Sequence, residues 1–204
     1  MKTSILPHVR WKNICIVWSL LLLIAHPLSA NLEQLSLGSS LSLSGTNHLI
    51  LDISRTDGTD YDKAAGNILT FCPAIIQGKR RSLSLTITQF EINKTPLHNS
   101  HRYRKFIGLG LGLDFGVLLH NQTSVIVGIS SGIGELSHTD NKEGFMALHC
   151  TTQIPLYQSH HQTLCLSLPV SFTYRKNIIS PSIGVGLTIH SNFVVYVREK
   201  RSKQ

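Results

Sequence analysis

The side chains in this 204-residue chain best suited to chemistry are its histidines and what stands beside them. His190 and Ser191 are adjacent in "IHSN" (189–192), and Glu135 or Glu199 would complete the parts list of a hydrolytic triad. Neighbours on a strand point to opposite faces, so His190 takes no proton from Ser191 there without a bulge. His98 with His101, and His160 with His161, offer paired imidazoles, but neither spacing is that of a defined metal ligand set. "GLGLG" (108–112) lacks the spacing of a dinucleotide loop and precedes no helix. "DFG" (114–116) has none of the companions a kinase needs. No catalytic site, metal or cofactor is expected, and the chain is read as a non-enzyme.

Two further features are candidates for binding rather than catalysis. The polar segment 93–105 ends in His101, Arg102, Tyr103, Arg104 and Lys105. Guanidinium groups pair with phosphate in a bidentate fork, so Arg102, Arg104 and Lys105 suit an anionic surface; the bland reading is a solvated loop. Asp114 is the odd member of "IGLGLGLDFGVLL" (107–119), where every odd position is large and apolar and most even positions are glycine. That period of two is a strand with one greasy face and one bare face. Asp114 shares the phase of the glycines, so it is expected to point inward and to need a basic or hydroxyl partner from another strand.

The elements that position these residues are strands almost throughout. Odd-numbered apolar residues run from Leu35 to Ile53 without a break of phase, which predicts one long, bulged strand over about 34–53, with a hairpin at 44–47 as the rival. Further strands are expected at 68–76, 82–92, 107–119, 123–136, 145–154, 163–174 and 181–197, with Pro73 demoting the first of these. The connections between them, 54–67, 77–80, 93–105 and 120–122, alternate long and short; those at 137–144, 155–162 and 175–180 are of medium length. Charged residues are only 15% of the chain, well under the roughly 25% of soluble domains.

The first thirty residues stand apart. Lys2, Arg10 and Lys12 precede the apolar run 14–25, and Pro27, Ser29 and Ala30 follow it. This is the layout of a secretory signal peptide cleaved after Ala30, with an uncleaved anchor as the alternative. The run is shorter than the roughly twenty residues of a spanning helix. The organisation expected is therefore a signal peptide at 1–30, a β-domain at 31–197 and a charged tail at 198–204. Export disfavours nucleic acid as a partner. Cys72, Cys150 and Cys165 remain in the exported part. Cys150 and Cys165 are read either as a cross-strand disulfide or, with Cys72, as small hydrophobes.

Signal peptide, even strand count, ten-residue dyad strands and alternating connections together resemble the small bacterial outer-membrane β-barrels of the OmpA/OmpX or opacity type. The resemblance covers the exported chain and is one of pattern, not of motif. It implies an all-β fold, an antiparallel up-and-down barrel of about eight strands, with Leu, Ile and Val facing lipid and small or polar side chains filling a narrow interior. A soluble exported β-sandwich or barrel is the alternative, with the odd faces packed together as a core. The implied partners are outer-membrane lipid and the export and barrel-assembly machinery, plus a surface partner met through 54–67 and 93–105. The implied location is the outer membrane of a Gram-negative bacterium, or else the periplasm or the medium. The implied role is structural or adhesive, with a soluble binding protein and a lipid-modifying barrel enzyme as alternatives. Two departures stand out: the family's terminal Phe or Trp has no match at Gln204, and aromatic residues are only 7%.

Overall fold

A computed structural model describes residues 34–53, 61–78, 80–97, 100–119, 122–137 and 142–197. The expected signal segment and the charged tail lie outside these residues. Eight strands follow one another: β1 (Gln34–Asp52), β2 (Tyr61–Gln77), β3 (Arg81–Leu97), β4 (Ser100–Leu118), β5 (Ser124–Leu136), β6 (Lys142–Gln158), β7 (Gln162–Arg175) and β8 (Ile178–Val197). Each pairs antiparallel with the next, and β8 pairs back onto β1, so the sheet closes into an up-and-down barrel. β1 is the single long strand that its unbroken phase predicts, with its irregularity at Gly38–Ser40.

The dyad pattern sorts the side chains. Leu43, Leu111, Ile133 and Ile183 project outward and are 60–64% exposed, whereas Ser44, Thr86, Ser130 and Ser182 point in and are buried. In a two-sheet sandwich the greasy faces would turn towards each other. Here a single closed wall turns them all outside, so that alternative is overturned. Inside, the wall is short of side-chain volume on β4 and β5. A Cβ at Gly108 would stand 2.6 Å from the Phe90 ring, and one at Gly110 2.7 Å from the Phe145 ring. The bare face of 107–119 is therefore the seat of large residues from β3, the adjacent strand, and from β6, two strands away.

The connections are shorter than the apolar pattern implies. β2 already begins at Tyr61, and Asn67 pairs with Gly45, so much of the expected loop 54–67 is strand. The segments 137–144, 155–162 and 175–180 likewise shrink, to 137–141, 159–161 and 176–177. Backbone pairing continues past the apolar band because ladder hydrogen bonds need no greasy side chain. The long-short alternation is therefore not a property of the fold. Pro73 does not demote β2 either: the register slips between Phe71 and Ala74, and this bulge absorbs the missing donor.

The largest revision concerns 93–105. Thr95 pairs with Arg104 and Pro96 with Tyr103, so the segment is a hairpin and not a loop. The neighbouring ladders stop short of it. β2 leaves β3 at Ile92, and β5 leaves β4 at Phe106. Residues 93–97 and 100–104 thus form a two-stranded ribbon projecting beyond the wall, at the rim opposite the one from which β1 begins and β8 ends.

Candidate functional site: the barrel interior

Under the rim that carries the ribbon, the interior is plugged. Phe90, Phe106 and Phe145 pack with Ile50, Ile92, Leu136 and Ala64. Phe90 meets Phe145 edge-to-face, with ring centroids 4.5 Å apart, and lies 5.4 Å from Phe106, within the range of favourable aromatic pairs. Arg175 covers this cluster. Its guanidinium sits 4.2 Å over the Phe106 ring, and its Nη1 donates to Glu143 Oε2 at 3.3 Å. Arg175 Nε and Nη2 have no partner among the described residues. Neither Arg175 nor Glu143 stood out in the sequence, although the signal was there: Arg175 shares the phase of Ser167, Ser171 and Thr173, which all face in.

Below the plug the barrel is not filled, as an eight-stranded wall would suggest. A cavity of about 380 Å³ runs from Phe90 and His48 down to Gln77, Arg80, Gln122 and Gln158 at the opposite rim. Its wall is hydroxyl-rich and internally bonded. Thr188 Oγ1 donates to Ser42 Oγ at 2.9 Å and meets Ser167 Oγ, while Ser171 and Ser182 are 2.7 Å apart. His48 sits between Thr46 (2.8 Å) and Ser180 (3.2 Å).

Asp114 faces this cavity and is 6% exposed. His149 Nε2 lies 3.0 Å from its Oδ1, and Thr86 Oγ1 donates to the same oxygen at 3.5 Å. Thr86 is on β3 and His149 on β6. The space they share exists because Gly128 of β5, in register with both Asp114 and His149, has no side chain.

His190 points inward and its Nε2 is 2.8 Å from Gln153 Oε1. Gln153 also accepts from Ser124 and donates to Thr188. Ser191, its neighbour, is not in the cavity wall; among the described residues no carboxylate is brought to the pair, and Glu199 lies outside them. His160 and His161 are exposed in the turn 159–161; His98 and the side chain of His101 lie outside the described residues. Among the described residues no three His, Cys, Asp or Glu side chains gather as a metal set.

The cysteines separate by face. Cys150 is exposed on the outer wall, Cys72 and Cys165 are buried inside, and all three are free thiols. Cys150 pairs with Val170 and Cys165 with Pro155, so the disulfide reading of Cys150 and Cys165 is excluded by both face and register. Arg102 and Arg104 lie on the ribbon arm of β4, and Lys105 follows at its base. The side chains of Arg102 and Arg104 lie outside the described residues. Lys105 Nζ is 2.7 Å from Glu91 Oε1 at the base of the ribbon.

A closed antiparallel wall, apolar outside and polar within, is the architecture of a transmembrane β-barrel, the class that crosses outer membranes. No protein-family model and no curated protein matches the chain in sequence. In fold it is similar to Ail, the attachment invasion locus protein of Yersinia pestis, with 11% identity, 75% of this chain and 97% of that chain covered, and a TM-score of 0.49. It is also similar to Neisserial surface protein A, at 10% identity, 76% and 97% coverage and a TM-score of 0.48. A further likeness is to the outer membrane protein OprG from Pseudomonas aeruginosa, at 11% identity, 79% and 96% coverage and a TM-score of 0.38. At such identities the likeness is one of fold alone.

Proposed function

We propose that the chain is a non-enzymatic outer-membrane protein of a Gram-negative envelope, with a structural or adhesive role at the surface. The observation that carries this reading is the pairing of an unbroken apolar outer wall with a ribbon that stands beyond it. Soluble monomers rarely expose contiguous apolar patches above a few hundred Å², and every strand here turns large apolar side chains outward, among them Leu43, Phe71, Leu85, Leu111, Ile133, Leu148, Phe172 and Ile183. Arg102 and Arg104 belong to that ribbon, and their guanidinium groups suit an anionic partner such as a phosphorylated or sulfated surface. The plugged interior argues against a standing pore. Lipid, the export apparatus and the barrel-assembly machinery are the partners this reading requires.

Fractionation with heat-modifiability on gels tests the reading. Recovery with outer membranes, and a band that shifts on boiling, are expected; release with the periplasmic contents would overturn it. Cells displaying the protein should adhere to a polyanion-coated surface in a salt-sensitive way. The Arg102→Ala/Arg104→Ala variant should reduce that adhesion several-fold. Equal adhesion by the variant would remove the ribbon from the mechanism.

A further inference from the structure

The cavity below the plug has a composition that selects its contents. Its volume of about 380 Å³ falls within the range of small-molecule sites, roughly 300–1,000 Å³. Among the described residues that line it, Asp114 is the one carboxylate, and it is already held by His149 and Thr86. The lining's only Lys or Arg side chains are Arg80 and Arg81, at the mouth. A charged solute would be stripped of water deep inside with no free counter-charge to receive it. A wholly apolar solute would cover the serine and threonine hydroxyls without bonding them, and each such loss costs about 1–3 kcal/mol.

The inner end carries a more specific mark. Thr88 is 9% exposed, and its Oγ1 has no hydrogen-bond partner among the described residues. Phe90 is two residues along β3 on the same face, so a ring and an unpartnered, shielded hydroxyl lie side by side where the cavity ends. That combination suits a molecule with both an apolar face and hydroxyl groups.

We propose that the cavity is a binding site for a neutral, polyhydroxylated small molecule of mono- or disaccharide size. The solute enters from the rim of the chain ends, past Arg80 and Gln158. One face lies against the Phe90 ring, a hydroxyl bonds Thr88 once its side chain turns about χ1 to bring Oγ1 into the cavity, and others bond the serine and threonine wall. The plug of Phe106, Phe145 and Arg175 keeps it from passing through. The site stands on the cavity alone and does not depend on the adhesive role.

Saturation-transfer NMR on the protein folded in detergent micelles tests this, with glucose and sucrose as probes and glucuronate and glucosamine as charged controls. Transfer to at least one neutral sugar is expected, with at least fivefold less to either charged control. Thr88→Val, which keeps the shape and removes the hydroxyl, should weaken that binding about fivefold. Ser84→Phe should abolish it by filling the cavity, while the heat-shifted band on gels reports that the barrel still forms. If neither neutral sugar shows transfer, the cavity holds water only and the proposal fails. It fails equally if the charged controls bind as well, or if Thr88→Val binds like the wild type.

Discussion

Asp114 and His149 meet at 3.0 Å although their strands are not neighbours. β5 runs between them, and at their level it contributes Gly128. A Cβ on Gly128 would stand 2.5 Å from His149 Nε2 and closer still to Asp114 Oδ1. The polar contact thus depends on a side chain that is missing from a third strand.

Gly128→Val should therefore act as though it removed the pair. It displaces both partners and leaves a buried carboxylate without its imidazole, a loss of about 3 kcal/mol or more. Gly45→Ala is the control, because nothing lies within 4 Å of its added methyl group; it should be neutral or slightly stabilising, since glycine weakens a strand by about 0.5–1 kcal/mol. Urea titrations in lipid vesicles, followed by circular dichroism and by the gel shift, compare the two. Equal midpoints would show that the Asp114–His149 contact contributes nothing.

Two of the ion pairs near the ribbon rim should differ in weight. Arg175 and Glu143 are 1% and 14% exposed at their side chains, against 40% and 26% for Lys105 and Glu91. Glu143→Gln leaves a buried guanidinium without its carboxylate and should destabilise by about 3–5 kcal/mol. Glu91→Gln touches a wet pair and should cost less than about 1 kcal/mol. The same titrations read both, and Glu91→Gln should soften further in low salt only.

Opening the plug should convert a blind cavity into a channel. Phe90→Ala/Phe145→Ala removes two rings from the narrowest packed layer, and each truncation costs about 3–5 kcal/mol of stability. In planar bilayers the wild type is expected to show no large, stable conductance, and the double variant to show discrete openings. A large standing conductance in the wild type would refute the sealed interior.

The outer wall provides a test of its solvent. Leu111 is 62% exposed near the middle of β4. An arginine there is expected to cost about 2–4 kcal/mol if the wall faces hydrocarbon at the midplane. It would cost almost nothing if the wall faced water. Refolding yield into vesicles and urea midpoints of Leu111→Arg distinguish the two.

Much of this fold was legible because lipid and interior demand opposite residues at alternate positions. β1, β3, β4 and β8 carry that contrast in plain view, and Asp114 could be placed by phase alone. Its partner could not, since phase says which face a residue takes and nothing about which residues sit at its level. Register comes from the ladders, and it is register that unites Asp114, Gly128 and His149. The ribbon escaped for another reason. Beyond the apolar band the sequence of β3 and β4 is polar at most positions of either phase, so no alternation marks 93–97 or 100–104 as strand. Phe90, Phe106 and Phe145 were visible residues whose inward phase was not used, and together they make the difference between a filled barrel and a plugged one.

The closure of β8 onto β1 has a kinetic side. Every other ladder joins strands that follow each other in the chain, whereas this seam brings Gln34 to Val197 and Asp52 to Ile178. The loop entropy of nearly the whole domain is surrendered at that single step, whereas each hairpin closes only a short connection. Until then two long edges stand unpaired, with Leu41 and Leu43 on one and Leu187 and Ile189 on the other, a template for pairing with a second copy. Substitutions in the seam are therefore expected to show first in how fast and how cleanly the barrel assembles, and substitutions in the plug in how firmly it stays assembled.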